Sequence, residues 1–436
     1  MTPHPLFARS LMAVGLAAAC RTPLSAQTPL ELSALQHAAQ AVDPRTSEID
    51  DLSRQSELRL KNIDVDQLPA ISVLGQTQYQ SDSTTAPFPL PNGEPAFTAP
   101  KFTYDAAVRI DQRIYDPSIS PRRALERAGL AESQAGVRAS LFGLRQEVND
   151  AFFTAALMEQ QLGALNTSIE DLEGRLREAN VRVREGAALA GEAATIEAAL
   201  LRERQQADEL RANRAAALAR LGRLVNRPIG SDAALDVPDL NAAVARARPQ
   251  LDSVRARPEY DRFAKTRDRV AAQQEATSAA DRPQISVYGR GGYGLPGLNV
   301  INLTGQWYAL GGLQVQWKAW TWNASNHERE ALALQQDIVS AEEASFTSAL
   351  RRGVENDLAT IDRLQHAAAD DERIIQLREA IDRTARIRLD EGVTTAAEYL
   401  DRRTEWLTAQ FDRARHRVEL AYAQARLLTT LGLEVQ

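Results

Sequence analysis

One cysteine, five histidines and three methionines are spread over 436 residues, and each scarcity removes a class of function. A lone cysteine, Cys20, can make no internal disulfide and leaves no thiol chemistry away from the N-terminus. His4, His37, His327, His366 and His416 are dispersed without metal-ligand spacing, so no metal centre is expected. No run reaches the roughly 18 apolar residues of a membrane-spanning helix, so any membrane insertion has to use strands. Cationic surface is short as well: 51 Lys and Arg stand against 58 Asp and Glu, a net charge of −7, and the arginines alternate with acids at helical spacing instead of clustering. Nucleic acid is therefore not an expected partner. Glycine-rich phosphate loops and nucleophile elbows are missing too, since no helix start follows the glycines between Gly289 and Gly294. The chain offers no cofactor site and does not read as an enzyme.

What it has in abundance is itself, twice. Pro69-Ala70-Ile71-Ser72-Val73 recurs as Pro283-Gln284-Ile285-Ser286-Val287, with Ile71 and Ile285 standing 214 apart. Arg184-Glu185-Gly186 recurs as Asp390-Glu391-Gly392, with the glycines 206 apart, so the two copies differ by loop-sized insertions. A repeat of this length argues for pseudo-symmetric halves.

The N-terminus reads as an export signal: Arg9 precedes an apolar stretch from Leu11 to Ala19, the length of a signal core and too short to span a bilayer. Two processing readings stand. Cleavage after Leu24-Ser25-Ala26 discards residues 1–26, including Arg9 and Arg21, and moves the net charge from −7 to −9. Alternatively Leu16-Ala17-Ala18-Ala19-Cys20 serves as a lipobox, residues 1–19 are removed, and Cys20 carries the lipid.

Four segments carry period-two patterning. Tyr104, Ala106, Val108, Ile110 and Ile114 alternate with Asp105, Arg109, Asp111 and Arg113; Leu313, Val315, Trp317 and Ala319 alternate with Gln314, Gln316 and Lys318. Each is preceded by a weaker strand, Ile71 to Tyr79 and Ile285 to Tyr293, giving two hairpins. A loop rich in proline (Pro87, Pro89, Pro91, Pro95, Pro100) divides the first, and residues from Gly294 to Thr304 divide the second. Strands of about ten residues, apolar on one face and polar on the other with long loops at one end, match the pattern of an outer-membrane barrel. Trp307, Trp317, Trp320 and Trp322 fall in one strand region, as an aromatic girdle at a lipid interface would. A soluble antiparallel sheet with one wet face is the alternative. Four strands close no barrel alone, so a spanning sheet needs several chains, because an open edge in lipid leaves backbone groups unpaired.

From Ser120 to Gly186, and again from Asn326 to Gly392, no proline intervenes. Each 66-residue span would make a rod of about 100 Å at 1.5 Å per residue. Leu162, Leu165, Ile169, Leu172, Leu176, Ala179 and Val183 step by three and four, as do Leu407, Phe411, Ala414, Val418, Ala421, Ala425 and Leu428. These are coiled-coil seams, and they predict antiparallel helical hairpins with tips at Gly186 to Gly191 and Gly392 to Thr395.

In this order of parts the chain resembles the TolC-like outer-membrane efflux factors, over essentially its whole mature length. The resemblance rests on organisation and on local matches at Leu68-Pro69, Arg282-Pro283, Arg257-Pro258-Glu259, Gly186 and Gly392. It implies a fold of mixed α and β, internally duplicated: long antiparallel helical hairpins that form an α-barrel when trimeric, and four strands given to a trimeric transmembrane β-barrel. It implies a homotrimer in the outer membrane of a Gram-negative bacterium, in contact with lipid, with most of the chain in the periplasm. A periplasmic adaptor (membrane fusion) protein and an inner-membrane transporter are the implied partners. The role implied is a passive exit duct for efflux or type I secretion. Counted from the second-half glycine, the family's gate carboxylates fall on Glu398 and Asp401; Glu192 holds the matching first-half acidic position. The family's latching arginine is replaced by Thr394 and an upstream tyrosine by Leu389. Residues 27–68 are then an N-terminal periplasmic helix, 69–116 and 283–322 the β-hairpins, 117–226 and 323–436 the helical hairpins, and 227–282 a linker with a second lead-in helix. Rival readings are a soluble periplasmic coiled-coil adaptor or scaffold, and solvated helix carboxylates at Glu398 and Asp401.

Overall fold

The computed structural model describes residues 29–435 apart from 86, 87, 89, 94, 95 and 251–255. The export signal and Cys20 lie outside the described residues. In chain order the elements are β1 (Leu30–Glu31), α1 (Leu32–Val42), α2 (Arg45–Val65), β2 (Ala70–Tyr79), β3 (Phe102–Tyr115), α3 (Ile119–Phe142), α4 (Leu144–Arg184), α5 (Ala190–Leu224), β4 (Leu235–Asp236), α6 (Asn241–Ala247), α7 (Pro258–Ala280), β5 (Gln284–Leu295), β6 (Gln306–Gln316), α8 (Ala324–Asp390) and α9 (Ala396–Thr430). Among the described residues no helix is long and apolar enough to cross a membrane.

Three layers follow one another along the molecule. At one end β2-β3-β5-β6 form an antiparallel sheet in which β3 of the first half pairs with β5 of the second. Next, α2, α3, α7 and α8 pack side by side in that order, and beyond them α5, α4, α9 and α8 do the same. The 67-residue α8 runs through both helical layers, about 100 Å by its rise.

Its first-half counterpart is the pair α3 and α4, which meet at Gly143. Gly143 keeps helical angles (φ −58°, ψ −26°), so the two helices form one rod interrupted at a single residue. The expected unbroken first rod therefore has a joint. Ala349 stands 206 residues later, where the helix is continuous, and glycine in a helix interior is about 1 kcal/mol less favourable than alanine. The single N-terminal helix expected within residues 27–68 is likewise two helices. Pro44 forces Asp43 to an extended ψ of 133°, and the Asp43 carboxylate then accepts from the Arg45 amide at 2.9 Å to start α2.

The main core forms a waist at mid-length. Leu32, Leu35 and Ala39 of α1, Val148 and Phe152 of α4, Leu221 of α5, Ile361 and Leu364 of α8 and Leu427 and Leu428 of α9 are all buried there. Gln36 crosses it, donating to Asn149 at 2.6 Å, and Asn149 donates on to Thr429 at 3.1 Å. The linker is part of the waist, since β4 pairs in parallel with β1 and Leu240 and Val244 join the core. Beyond the waist the predicted seams are packed at Leu165 and Leu172 of α4, both fully buried, and at Leu407 and Ala414 of α9, and the α9 seam runs on into the waist through Val418, Ala421, Ala425 and Leu428.

Candidate functional site

The tips are built the same way twice. Gly186 and Gly392 each adopt φ 73°, the left-handed conformation that glycine accepts without cost. Around them Ala187 donates to the Arg182 carbonyl at 2.8 Å and Gly186 to Val183 at 3.1 Å; Val393 donates to Arg388 at 2.8 Å and Gly392 to Leu389 at 3.0 Å. This paired bonding satisfies the last carbonyls of α4 and α8 and reverses the chain. Gly191, expected at the tip, is instead the second residue of α5, where its carbonyl accepts from the Thr195 hydroxyl at 2.7 Å.

The restart of the chain differs between halves. Thr395 caps α9: its hydroxyl accepts from the Glu398 amide at 3.3 Å while the Glu398 carboxylate accepts from the Thr395 amide at 3.3 Å, a closed capping box. The Thr394 hydroxyl also donates to that carboxylate. Together they hold Glu398 below the usual carboxylate range, the Thr394 bond being the larger cause and the Thr395 amide the next. Leu189 occupies the matching position before α5 and has no side chain to cap it. Glu398 and Asp401 are both exposed, three residues apart on one face of α9. Glu192 is half-buried in the first turn of α5 and faces a different cleft, lined by Arg175, Arg182, Leu389 and Asp390. Glu398 instead lines a groove of about 590 Å³ between α8 and α9 with Leu377, Ile381, Arg388 and Arg402. Within one chain the structure does not bring the first-half and second-half carboxylates together.

On the opposite side of the same α9 turns, side chains that no sequence motif marked form a buried charged knot. Tyr399 is fully buried, and Arg175 and Arg403 are 6% and 4% exposed. The Arg403 guanidinium lies 2.7 Å from the Asp171 carboxylate and donates to Tyr399 and to both the carbonyl and hydroxyl of Ser168 at 3.1–3.2 Å. Arg175 stacks over the Tyr399 ring, 4.6 Å from its centre, and reaches Asp390 at 3.4 Å. This ties α4 of the first hairpin to α8 and α9 of the second.

The sheet has two chemically distinct faces. Pairing places Ile71 opposite Ile110, Val73 opposite Val108, Val287 opposite Leu313 and Ile285 opposite Val315, all on one face, where Val287 and Ile285 are half-buried and the others exposed. Arg109, Asp111, Asp105 and Arg290 share the other, where Arg109 and Asp111 form a two-pronged pair at 2.8 Å and Arg290 pairs with Asp105. Of the tryptophans expected in one strand girdle, only Trp307 lies on a strand; Trp317, Trp320 and Trp322 follow β6 on the way into α8. The correction is one of level. Trp307 is at the loop end of the sheet and 83% exposed, within a row in which Phe102 meets Tyr104 (6.3 Å), Tyr104 meets Tyr293 (6.1 Å) and Tyr293 meets Trp307 (5.3 Å). Trp317, Trp320 and Trp322 make a second exposed group at the helix end.

Comparison with solved structures decides what this arrangement is. The outer-membrane channel OprN superimposes with a TM-score of 0.67 at 16% identity, over 92% of this chain and 89% of that one. CusC, whose structures concern folding and transmembrane channel formation, matches with a TM-score of 0.66 at 14% identity over 98% and 99% of the two chains. The Neisseria gonorrhoeae MtrE outer-membrane channel in its open state matches with 0.64 at 18% identity over 93% and 89%. This chain has the outer-membrane-channel fold. The likeness to TolC-like outer-membrane factors read from the order of parts holds at the level of that fold, with long helices and antiparallel strands as expected. No family model and no curated protein matches the sequence itself.

Proposed function

We propose that the chain is one subunit of a homotrimeric outer-membrane exit duct, passive in itself and energised by an inner-membrane pump through a periplasmic adaptor, in efflux or type I secretion. The observation that carries this is that, among the described residues, all three layers end in unpartnered edges on the same two sides. In the sheet the free edges are β2 and β6, in the next layer α2 and α8, and at the tips α5 and α8. A sheet edge facing lipid has to be paired, and a head-to-tail contact that closes on itself gives a ring.

The duplication says what the free edge of α8 would meet. Inside the chain, α4 packs against α9. Shifted by 206 residues, the face of α4 that carries Ser168, Asp171 and Arg175 becomes Ile374, Leu377 and Ile381 of α8, which are 42–49% exposed. The repeated counterpart of α9 is α5, so α5 of a second copy fits there. Three copies of four strands would supply twelve, an even number within the range of such barrels. Their apolar face would meet lipid, with Trp307 at the outer level and Trp317, Trp320 and Trp322 at the periplasmic one, and the Arg109, Asp111, Asp105 and Arg290 face would line the water-filled bore. At the far end Glu398, Asp401 and Glu192 would form the carboxylate rings of the gate.

The test is fractionation with gel mobility. The duct reading expects the mature chain in the outer membrane as an SDS-resistant trimer that collapses to monomer on boiling. Recovery as a soluble periplasmic protein would instead support the adaptor or scaffold reading and sink the duct.

A further inference from the structure

The polar face of the sheet contains a pairing that strand geometry disfavours. Arg109 of β3 stands directly opposite Arg290 of β5, two like charges on neighbouring strands. A carboxylate offsets the repulsion at one edge of each guanidinium, Asp111 beside Arg109 and Asp105 beside Arg290. An aromatic ring underlies each as well: Arg109 is 5.1 Å from the centre of the Tyr288 ring, and Arg290 is 5.7 Å from that of Tyr308.

The two tyrosines are laid flat on the wall. Tyr288 is paired with Gly312, and Tyr308 with Gly292. A β-carbon on Gly312 would come within 2.9–3.1 Å of the Tyr288 ring and hydroxyl, and one on Gly292 within 2.9 Å of the Tyr308 hydroxyl. Glycine is therefore what lets both rings lie down. The Tyr308 hydroxyl also donates to Asp105 at 2.5 Å, which fixes that ring. Sheet, ring and guanidinium are stacked in that order. The Arg109 and Arg290 side chains still keep 36% and 31% of their surface open. With one flat face on a ring and one edge on a carboxylate, what stays open is the second flat face and the outer N–H groups.

The repeat does not share this platform. Ile71 and Ile285 are 214 apart, and their strand partners Ile110 and Val315 are 205 apart, so Gln76 stands for Arg290, Gln314 for Arg109 and Leu74 for Tyr288. The charge is confined to the junction of β3 and β5, where the two halves of the chain meet.

We propose that Arg109 and Arg290, held on Tyr288 and Tyr308, form a binding site for planar aromatic anions. The ring of such a solute lies on the open face of a guanidinium, opposite the tyrosine, and its carboxylate or sulfonate accepts from the outer N–H groups. A non-aromatic anion of equal charge loses the stacking, and an aromatic cation meets two like charges. The site itself rests on the fold. Its place in a bore rests on the duct reading, in which three copies would set three such platforms at one level of the exit path.

The experiment is equilibrium dialysis of the full chain in detergent, with the same detergent on both sides, using naphthalene-2-carboxylate as probe and cyclohexanecarboxylate as its non-aromatic counterpart. The naphthoate should bind saturably and about tenfold more tightly than cyclohexanecarboxylate. Arg109→Lys with Arg290→Lys keeps both charges beside Asp111 and Asp105 but removes the flat guanidinium, and should weaken naphthoate binding about tenfold. Glu398→Gln with Asp401→Asn, at the far end of the chain, should bind as the parent does. Absence of saturable binding, equal affinity for the two anions, or naphthoate binding unchanged by the two lysines would overturn the proposal. No arm involves conduction or membrane targeting, so failure of the duct reading would be seen separately in the fractionation.

Discussion

Gly186 and Gly392, 206 residues apart in the chain, share a φ of 73°, and neither has a heavy atom within 4 Å of where a β-carbon would sit. Space is thus not what selects glycine; the backbone conformation is. Alanine at either site should cost about 1–2 kcal/mol locally, with asparagine costing less, and should loosen the tip without lowering the stability of the waist. Hydrogen exchange of residues around each turn reads this directly, and unchanged protection in Gly392→Ala would show that the left-handed turn does not set the tip.

The capping box at Thr395 and its absence at Leu189 make a matched pair of substitutions. Thr395→Ala should destabilise the start of α9 by about 1 kcal/mol, while Leu189→Thr, with Glu192 already three residues on, should stabilise the start of α5 by about 0.5–1 kcal/mol. Amide exchange in the first turn of each helix measures both. The Glu398 half of the box is a lowered carboxylate, so its contribution is present above the ordinary glutamate pKa and fades as acid carries the pH down through the lowered value. Acid titration should therefore fray α9 at its start and leave α5 unchanged.

Because Glu398 both caps a helix and carries charge, removing it to alanine mixes two effects. Glu398→Gln with Asp401→Asn keeps a capping side chain and removes the charge. In planar bilayers this pair should weaken cation selectivity and block by multivalent cations. Selectivity equal to that of the parent would take both residues out of the gate.

The two aromatic levels can be measured by depth. Trp307 and Trp317 are ten positions apart, and at about 3.3 Å per residue with a tilt near 40° their levels would be separated by roughly 25 Å, the height of the apolar band of a barrel. In variants that each retain a single tryptophan, both should be quenched strongly by lipids brominated near the headgroup and weakly by lipids brominated near the chain end. Deep quenching of either would place it inside the band.

Much of the fold could be read from residue order because its signals are long. The leucine and alanine seams of α4 and α9 repeat over several heptads, the tip glycines mark a turn at positive φ, and Pro258 opens α7 where a proline is tolerated at a helix start. What escaped was decided by single residues or by packing. Pro44 and Gly143 each break one otherwise continuous pattern. The waist was hidden because α6, β1 and β4 are too short to show a period, and Phe102, Tyr104, Tyr293 and Trp307 become a row only through the register of β3, β5 and β6. The knot was hidden for a plainer reason. Asp171 and Arg175, like Tyr399 and Arg403, stand four apart, a spacing shared with every solvated charged face in the chain. Only the crossing of α4 by α9 reveals that these particular charges are inside.

The joining of two half-copies in one polypeptide has a consequence for what the wall can evolve. Had each half remained a separate subunit, every side chain would recur at every station of the ring, and a charge introduced at one seam would appear at all of them. Covalent fusion frees alternate seams from each other. One seam carries aliphatic side chains at Leu377 and Ile381 while its neighbour carries Asp171 and Arg175 at the repeated positions, so the two seams can differ in chemistry within one wall.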